Sequence, residues 1–200
     1  MVRFLLIAAF VLVLAVPVRA DFQAGWDAYQ RGDLETAFRE WMALAQQGNS
    51  SAQFNIATMY DEGEWVDEDN GEAVRWYRKA AQQGHAKAQY NLAIMYDNGE
   101  GVPTDDVAAA RWYRKAADQG HIKAQFNLAI MYDEGEGVKL DDREAVRWYT
   151  KAAQQGHAKA QYNLAIMYDN GEGVAVNDAE AVRWYRKAAD QGHVKAQFNL

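Results

Sequence analysis

The sequence predicts an all-α solenoid of stacked antiparallel helix pairs, and three observations carry that reading. The chain repeats itself every 36 residues: His85 to Gly120 returns as His121 to Gly156 and as His157 to Gly192, with an earlier copy at Asn49 to Gly84. Within each copy the apolar residues recur at helical spacing twice, on either side of a Gly-containing break. Half of the residues are hydrophobic and only two are Pro, which argues against a disordered array. A fixed period of this length means that each unit buries its apolar face on its neighbours and not by itself.

Taken in order, residues 1–20 read as a cleaved signal peptide. Arg3 supplies a positive start, Phe4 to Val16 is an unbroken apolar run, and Pro17 interrupts it. Val18-Arg19-Ala20 then offers small residues on either side of Arg19, as a cleavage site before Asp21 requires. The run is shorter than the roughly 20 residues that span a bilayer. The mature protein is therefore expected to be periplasmic or secreted, with no membrane insertion after cleavage.

Residues 21–48 read as a divergent capping pair. Trp26, Tyr29, Ala37, Trp41 and Ala45 fall at helical spacing, and Arg31-Gly32-Asp33 is a tight break. The longer loop of the later copies is missing, and terminal units of a stacked array are commonly atypical. Four full units follow at 49–84, 85–120, 121–156 and 157–192, and a truncated one at 193–200. In each, the first helix starts near His85 or Ala86 and ends at Asp97, because Gly99 and Gly101 follow as stop signals. Its expected stripe is Ala88, Leu92, Met95 and Tyr96. The second helix opens at an Asp or Asn cap (Asp69, Asp105, Asp141, Asn177). It carries Ala109, Trp112, Tyr113, Ala116 and Ala117 on one face and runs to the Gln-Gly pair at 119–120.

These residues resemble the Sel1-like repeat, a 36-residue relative of the tetratricopeptide repeat. The resemblance is carried by Ala88, Leu92, Ala93, Tyr96, Gly99, Gly101, Val102, Ala109, Trp112, Tyr113, Lys115, Ala116, Ala117 and Gly120 and their copies from Asn49 to Leu200. It implies a right-handed superhelix whose first helices line the concave side. Two departures stand out. Trp65 occupies the position of Gly101, Gly137 and Gly173, so the first full loop is expected to differ in shape. Ala also stands where the family usually has Gly in the first helix. Units further alternate in pairs: Ala81 to Val102 is identical to Ala153 to Val174, which points to duplication of a 72-residue block.

Charge and composition narrow the function classes. The formal net charge is −7, so bulk electrostatics disfavour nucleic acid and anionic membranes as partners. Without the first twenty residues, 19 Lys and Arg stand against 28 acids, a net of −9. No Cys is present, which excludes disulfides, thiolate catalysis and Cys-ligated metals. His85, His121, His157 and His193 share one repeat position and cannot converge on one ion when each sits in a different unit; they read as polar residues opening each first helix. The loop acids Asp133, Glu134 and Glu136 lack the spacing of a calcium loop. Ser50 and Ser51 are the only serines and neither begins a Ser-x-x-Lys motif. No enzyme and no cofactor is expected.

What remains is surface. With the first helix on the concave side, as the resemblance implies, its outward positions are Lys87, Asn91 and Ile94, repeated as Lys123, Asn127, Ile130 and Lys159, Asn163, Ile166. A cation, an amide and an aliphatic side chain stacked in register suit an extended peptide. The leading expectation is an exported scaffold or adaptor that binds an unidentified protein or peptide in this groove, as Sel1-like proteins do in signalling, envelope assembly or host interaction. The alternative is a cell-wall protein, a peptidoglycan- or β-lactam-binding protein or hydrolase, which the missing nucleophile disfavours. The Asn49-Ser50-Ser51 sequon also leaves open an adaptor of the endoplasmic-reticulum lumen. The chain stops eight residues into a first helix, with Phe198 and Leu200 uncovered, so a longer protein or a partner over this end is expected.

Overall fold

A computed structural model describes residues 20–200. The expected signal peptide, apart from Ala20, lies outside the described residues. Eleven α-helices are present among the described residues: α1 Phe22–Gln30, α2 Leu34–Gln46, α3 Ser50–Glu62, α4 Asn70–Gln82, α5 Ala86–Asn98, α6 Asp106–Asp118, α7 Ile122–Glu134, α8 Asp142–Gln154, α9 Ala158–Asn170, α10 Asp178–Asp190 and α11 Val194–Phe198. Each helix packs against the next one in the chain, so the architecture is an all-α solenoid of helix pairs. Among the described residues no helix is long and apolar enough to cross a membrane.

Local chemistry sets the helix ends. Asp69, Asp105, Asp141 and Asn177 cap α4, α6, α8 and α10, their side chains accepting backbone N–H groups of the first turn. The first helices are opened by Asn49 and then by the histidines. Nδ1 of His85, His121, His157 and His193 accepts the N–H of Ala88, Ala124, Ala160 and Ala196 at 3.2–3.3 Å. The repeated histidine is thus a helix cap.

Packing explains the residue types. Ala88, Ala93, Ala109, Ala116 and Ala124 are fully buried and let neighbouring helices approach closely, while Leu92, Leu128, Tyr113, Tyr149 and Trp148 fill the remaining space. The first helix buries more than the expected stripe, because it lies between its own partner and the second helix of the preceding unit. Gln89 is buried on that account, as are Gln53, Gln125 and Gln161. Gln89 Nε2 donates to the Ala81 carbonyl at the end of α4 (3.0 Å), and its Oε1 accepts from Gln119 at the end of α6 (2.7 Å). The same bridge recurs through Gln53, Gln125 and Gln161. Each bridge ties the ends of two successive second helices through one buried amide.

The loop at Trp65 corrects one expectation. Trp65 has φ 68°, against 67°, 65° and 66° at Gly101, Gly137 and Gly173, so all four loops share this backbone turn. The later glycines are required because a Cβ there would meet the backbone opening the preceding second helix, at 2.2 Å from the Asn70 carbonyl oxygen for Gly101. The first loop instead borders the cap, where Tyr29 Oη donates to Glu64 (2.9 Å). The Trp65 side chain stays exposed there.

Candidate binding groove

Three hollows of one design lie along the first helices. The first is lined by Phe54, Asn55, His85 and Lys87, the second by Tyr90, Asn91, His121 and Lys123, and the third by Phe126, Asn127, His157 and Lys159, besides neighbouring residues. Their volumes are about 350, 480 and 370 Å³. The structure therefore brings Lys87, Lys123 and Lys159 together with Asn91 and Asn127 on one face. Asn163 holds the same position on α9, and Lys195 repeats the lysine on α11. Ile94, Ile130 and Ile166, expected to stand exposed, are half-buried and pack against the core. Apolar contact with the core holds them there.

The aromatic wall was not among the expected residues. Phe54, Tyr90, Phe126 and Tyr162 each lie against the histidine of the next unit, with ring centroids 4.5–4.8 Å apart. The signal was available: an aromatic residue three positions after each Lys, on an otherwise polar face.

A hydrogen-bonded relay underlies the asparagines. Tyr77 Oη donates to Asp61 (3.1 Å) and accepts from Asn91 Nδ2 (2.9 Å). Tyr149 joins Asp133 (3.2 Å) and Asn163 (3.0 Å) in the same way, and Tyr113 Oη donates to Asp97 (3.0 Å). Burial, the largest cause, pushes the hydroxyls of Tyr77, Tyr113 and Tyr149 well above the usual phenol range and keeps them protonated. At the cap the relay is broken. Trp41 stands where the later units have Tyr, its indole admitted by Gly25, whose Cβ would lie 2.6 Å from Trp41 Nε1. Asn55 Nδ2 is consequently left buried without a partner. A further cavity of about 290 Å³, lined by Trp26, Tyr29, Trp41, Phe54, Asn55 and Glu64 among others, closes this end.

The caps make stability depend on pH. Burial first, then Lys87, holds the His85 imidazole below its usual range; burial, Lys123 and Lys87 do so for His121, and burial, Lys159 and Lys123 for His157. The folded chain then binds fewer protons than the unfolded one below about pH 6.5. The stability from these neutral imidazoles is complete above about pH 6.5 and declines as pH falls towards the lowered values. The carboxyls of Asp61, Glu62, Asp133 and Glu134, raised by burial, act in the opposite sense, so the histidine part is read by substitution. In urea unfolding at about pH 5.5 and about pH 7.5, His157→Asn, which keeps a cap acceptor as Asn49 does, is expected to lose less stability on acidification than the unsubstituted protein. A pH dependence unchanged by that substitution would contradict this account.

Among the described residues no three His, Asp or Glu side chains are grouped to hold a metal ion. The groove offers cations, amides and rings. Comparison with known proteins agrees with the fold. The Sel1 repeat pattern matches residues 50–85, 86–121, 122–157 and 158–193. A protective antigen of uropathogenic Escherichia coli with an SLR fold is 41% identical, with a TM-score of 0.76 over 80% of this chain and 34% of its own. The chain thus spans about a third of that structure's length. A Sel1 repeat protein from Oxalobacter formigenes is 37% identical, with a TM-score of 0.84 over 88% of this chain and 73% of its own. Helicobacter pylori cysteine rich protein B, 23% identical with a TM-score of 0.53 over 69% of this chain and 99% of its own, shares the fold. No curated protein matches the chain.

Proposed function

Because this chain belongs to the Sel1 repeat family, we propose that it is an exported, non-catalytic scaffold that holds a protein or peptide along its first helices. The observation that carries this reading is the repetition of one hollow in three successive units. Each step pairs a cation, an amide and a ring: Lys87 with Asn55 and Phe54, Lys123 with Asn91 and Tyr90, and Lys159 with Asn127 and Phe126. Stacked helix pairs present such surfaces in series, so an extended partner gains contacts from several units at once. Export is supported by the apolar run Phe4 to Val16 after Arg3 and by the small residues before Asp21.

One experiment addresses both parts. A photocrosslinking amino acid is placed at Lys123, in the groove, or at Arg147, exposed on the second helix α8, in the native host. The Lys123 position is expected to give a discrete protein adduct and the Arg147 position none, and the purified protein is expected to begin at Asp21. Adducts from Arg147 alone would overturn the groove, and a retained Met1 would overturn export.

A further inference from the structure

We propose that the groove takes an extended acidic peptide, with its carboxylates on Lys87, Lys123 and Lys159 and its backbone N–H groups on the amide oxygens of Asn91, Asn127 and Asn163. This rests on the scaffold reading and names the chemistry of its partner.

The asparagine half follows from the relay. An ionised Asp accepts only, so the one hydroxyl hydrogen of Tyr77 goes to Asp61, or to Thr58 Oγ1 3.2 Å away, and in neither case to Asn91. The hydroxyl oxygen must then accept, and Asn91 meets it with Nδ2. That choice orients the amide: Oδ1 points away from Tyr77, and among the described residues no hydrogen bond occupies it. Asp133–Tyr149 imposes the same orientation on Asn163, and Asn127 holds the corresponding repeat position above Tyr113, whose hydroxyl donates to Asp97. Two of these asparagines line the hollows. The groove thus repeats an acceptor, and the donor that recurs along an extended chain is the backbone N–H. Asn55, facing Trp41, is not oriented in this way and lies outside the set.

The lysine half follows from charge. Lys87, Lys123 and Lys159 are exposed, and none takes part in an ion pair among the described residues. No carboxylate lines the three hollows. Lys87 and Lys123 line one hollow, and Lys123 and Lys159 the next, so the cations form one continuous strip. Lys87 also borders the cap cavity that Glu64 lines, whereas Lys123 and Lys159 share no hollow with a carboxylate. On a chain of net charge −7, such a strip of lysines attracts an anionic partner selectively. A nucleic acid fits less well. One face of each ring is already covered by a histidine, which removes stacking surface, and phosphates supply no donor to the asparagine oxygens.

The test uses the protein with fluorescein-labelled peptides of about twelve residues, which extend to roughly 40 Å and so reach across three neighbouring helices of about 10–12 Å each. One alternates Glu and Ala, a second replaces Glu by Gln, and a third carries N-methyl groups at alternate amides of the first. By fluorescence anisotropy the Glu peptide is expected to bind at least about tenfold more tightly than the Gln peptide, with an advantage that shrinks as salt rises. The N-methyl peptide is expected to bind several-fold more weakly than its parent. The triple variants Lys87→Glu/Lys123→Glu/Lys159→Glu and Lys87→Gln/Lys123→Gln/Lys159→Gln, checked for helicity, are expected to lose the preference for Glu.

Equal binding of the Glu and Gln peptides, or a preference that survives in both triple variants, overturns the acidic partner. Full binding of the N-methyl peptide overturns the asparagine assignment. Tighter binding of a single-stranded oligonucleotide than of the Glu peptide overturns the choice of a peptide. Binding of no peptide, with the Lys123 adduct still formed, refutes this proposal alone; loss of that adduct refutes the scaffold reading.

Discussion

Trp148→Ala is expected to lower stability by about 3–5 kcal/mol, the range for truncating a buried aromatic side chain. The ring is fully buried on α8, and its Nε1 donates to Glu144 at 3.2 Å. Lys151 Nζ lies 3.9 Å from the ring centroid, and Arg114 reaches over from α6 in the preceding unit with its guanidinium 5.6 Å away. Removing the ring opens a cavity and leaves these partners unopposed across a unit boundary. In a one-dimensional array, that loss uncouples the units on either side. Urea unfolding followed by circular dichroism is therefore expected to broaden or split into two transitions. Trp112 offers the comparison within the same molecule. Ala108 stands where Glu144 covers the Trp148 indole, and Trp112 is partly exposed, so Trp112→Ala is expected to cost less. A single sharp transition shifted by under about 1 kcal/mol in the Trp148 variant would place the ring outside the coupling between units.

Gly137→Ala is expected to destabilise by about 2–5 kcal/mol, combining a left-handed backbone cost of about 1–2 with overpacking of about 1–3. Its φ is 65°, and an added Cβ would stand 2.1 Å from the Asp106 carbonyl oxygen. The atom it meets is backbone, held by the start of α6, and cannot swing aside. Gly120→Ala separates the two costs. Its φ is 86° and a Cβ there would meet nothing within 4 Å, so only the dihedral cost of about 1–2 kcal/mol is expected. The difference between the two variants measures how closely each loop seats on the preceding unit. Equal losses would mean that loop and helix do not touch as described.

Much of this was legible in the residues themselves. The period of 36, the two stripes, the Asp and Asn caps and the Gly stops are local signals, each contained within one turn or one helix, and the helices begin and end within a residue or two of where those signals place them. The histidines were legible as residues opening the first helices, because the cap position follows from the Gln-Gly turn before it. The lysine and asparagine positions of the groove were legible as the polar remainder of a 3.6-residue pattern.

The features that needed the tertiary structure all involve two or three helices at once. Gln89 looks like a surface residue of α5 until Ala81 and Gln119 arrive from α4 and α6 to occupy both ends of its amide. Ile94 looks exposed by the same pattern, yet packing against the core covers part of it. Trp65 breaks the glycine rule without changing φ, because what excludes a side chain at that turn is the preceding unit, and there the preceding unit is the cap. The orientation of Asn91 depends on Tyr77, whose hydroxyl proton depends on Asp61, three residues on two helix pairs. Helical periodicity states which face of a helix is buried, but the hydrogen-bond partner that turns an amide one way or the other is chosen only when the units stack.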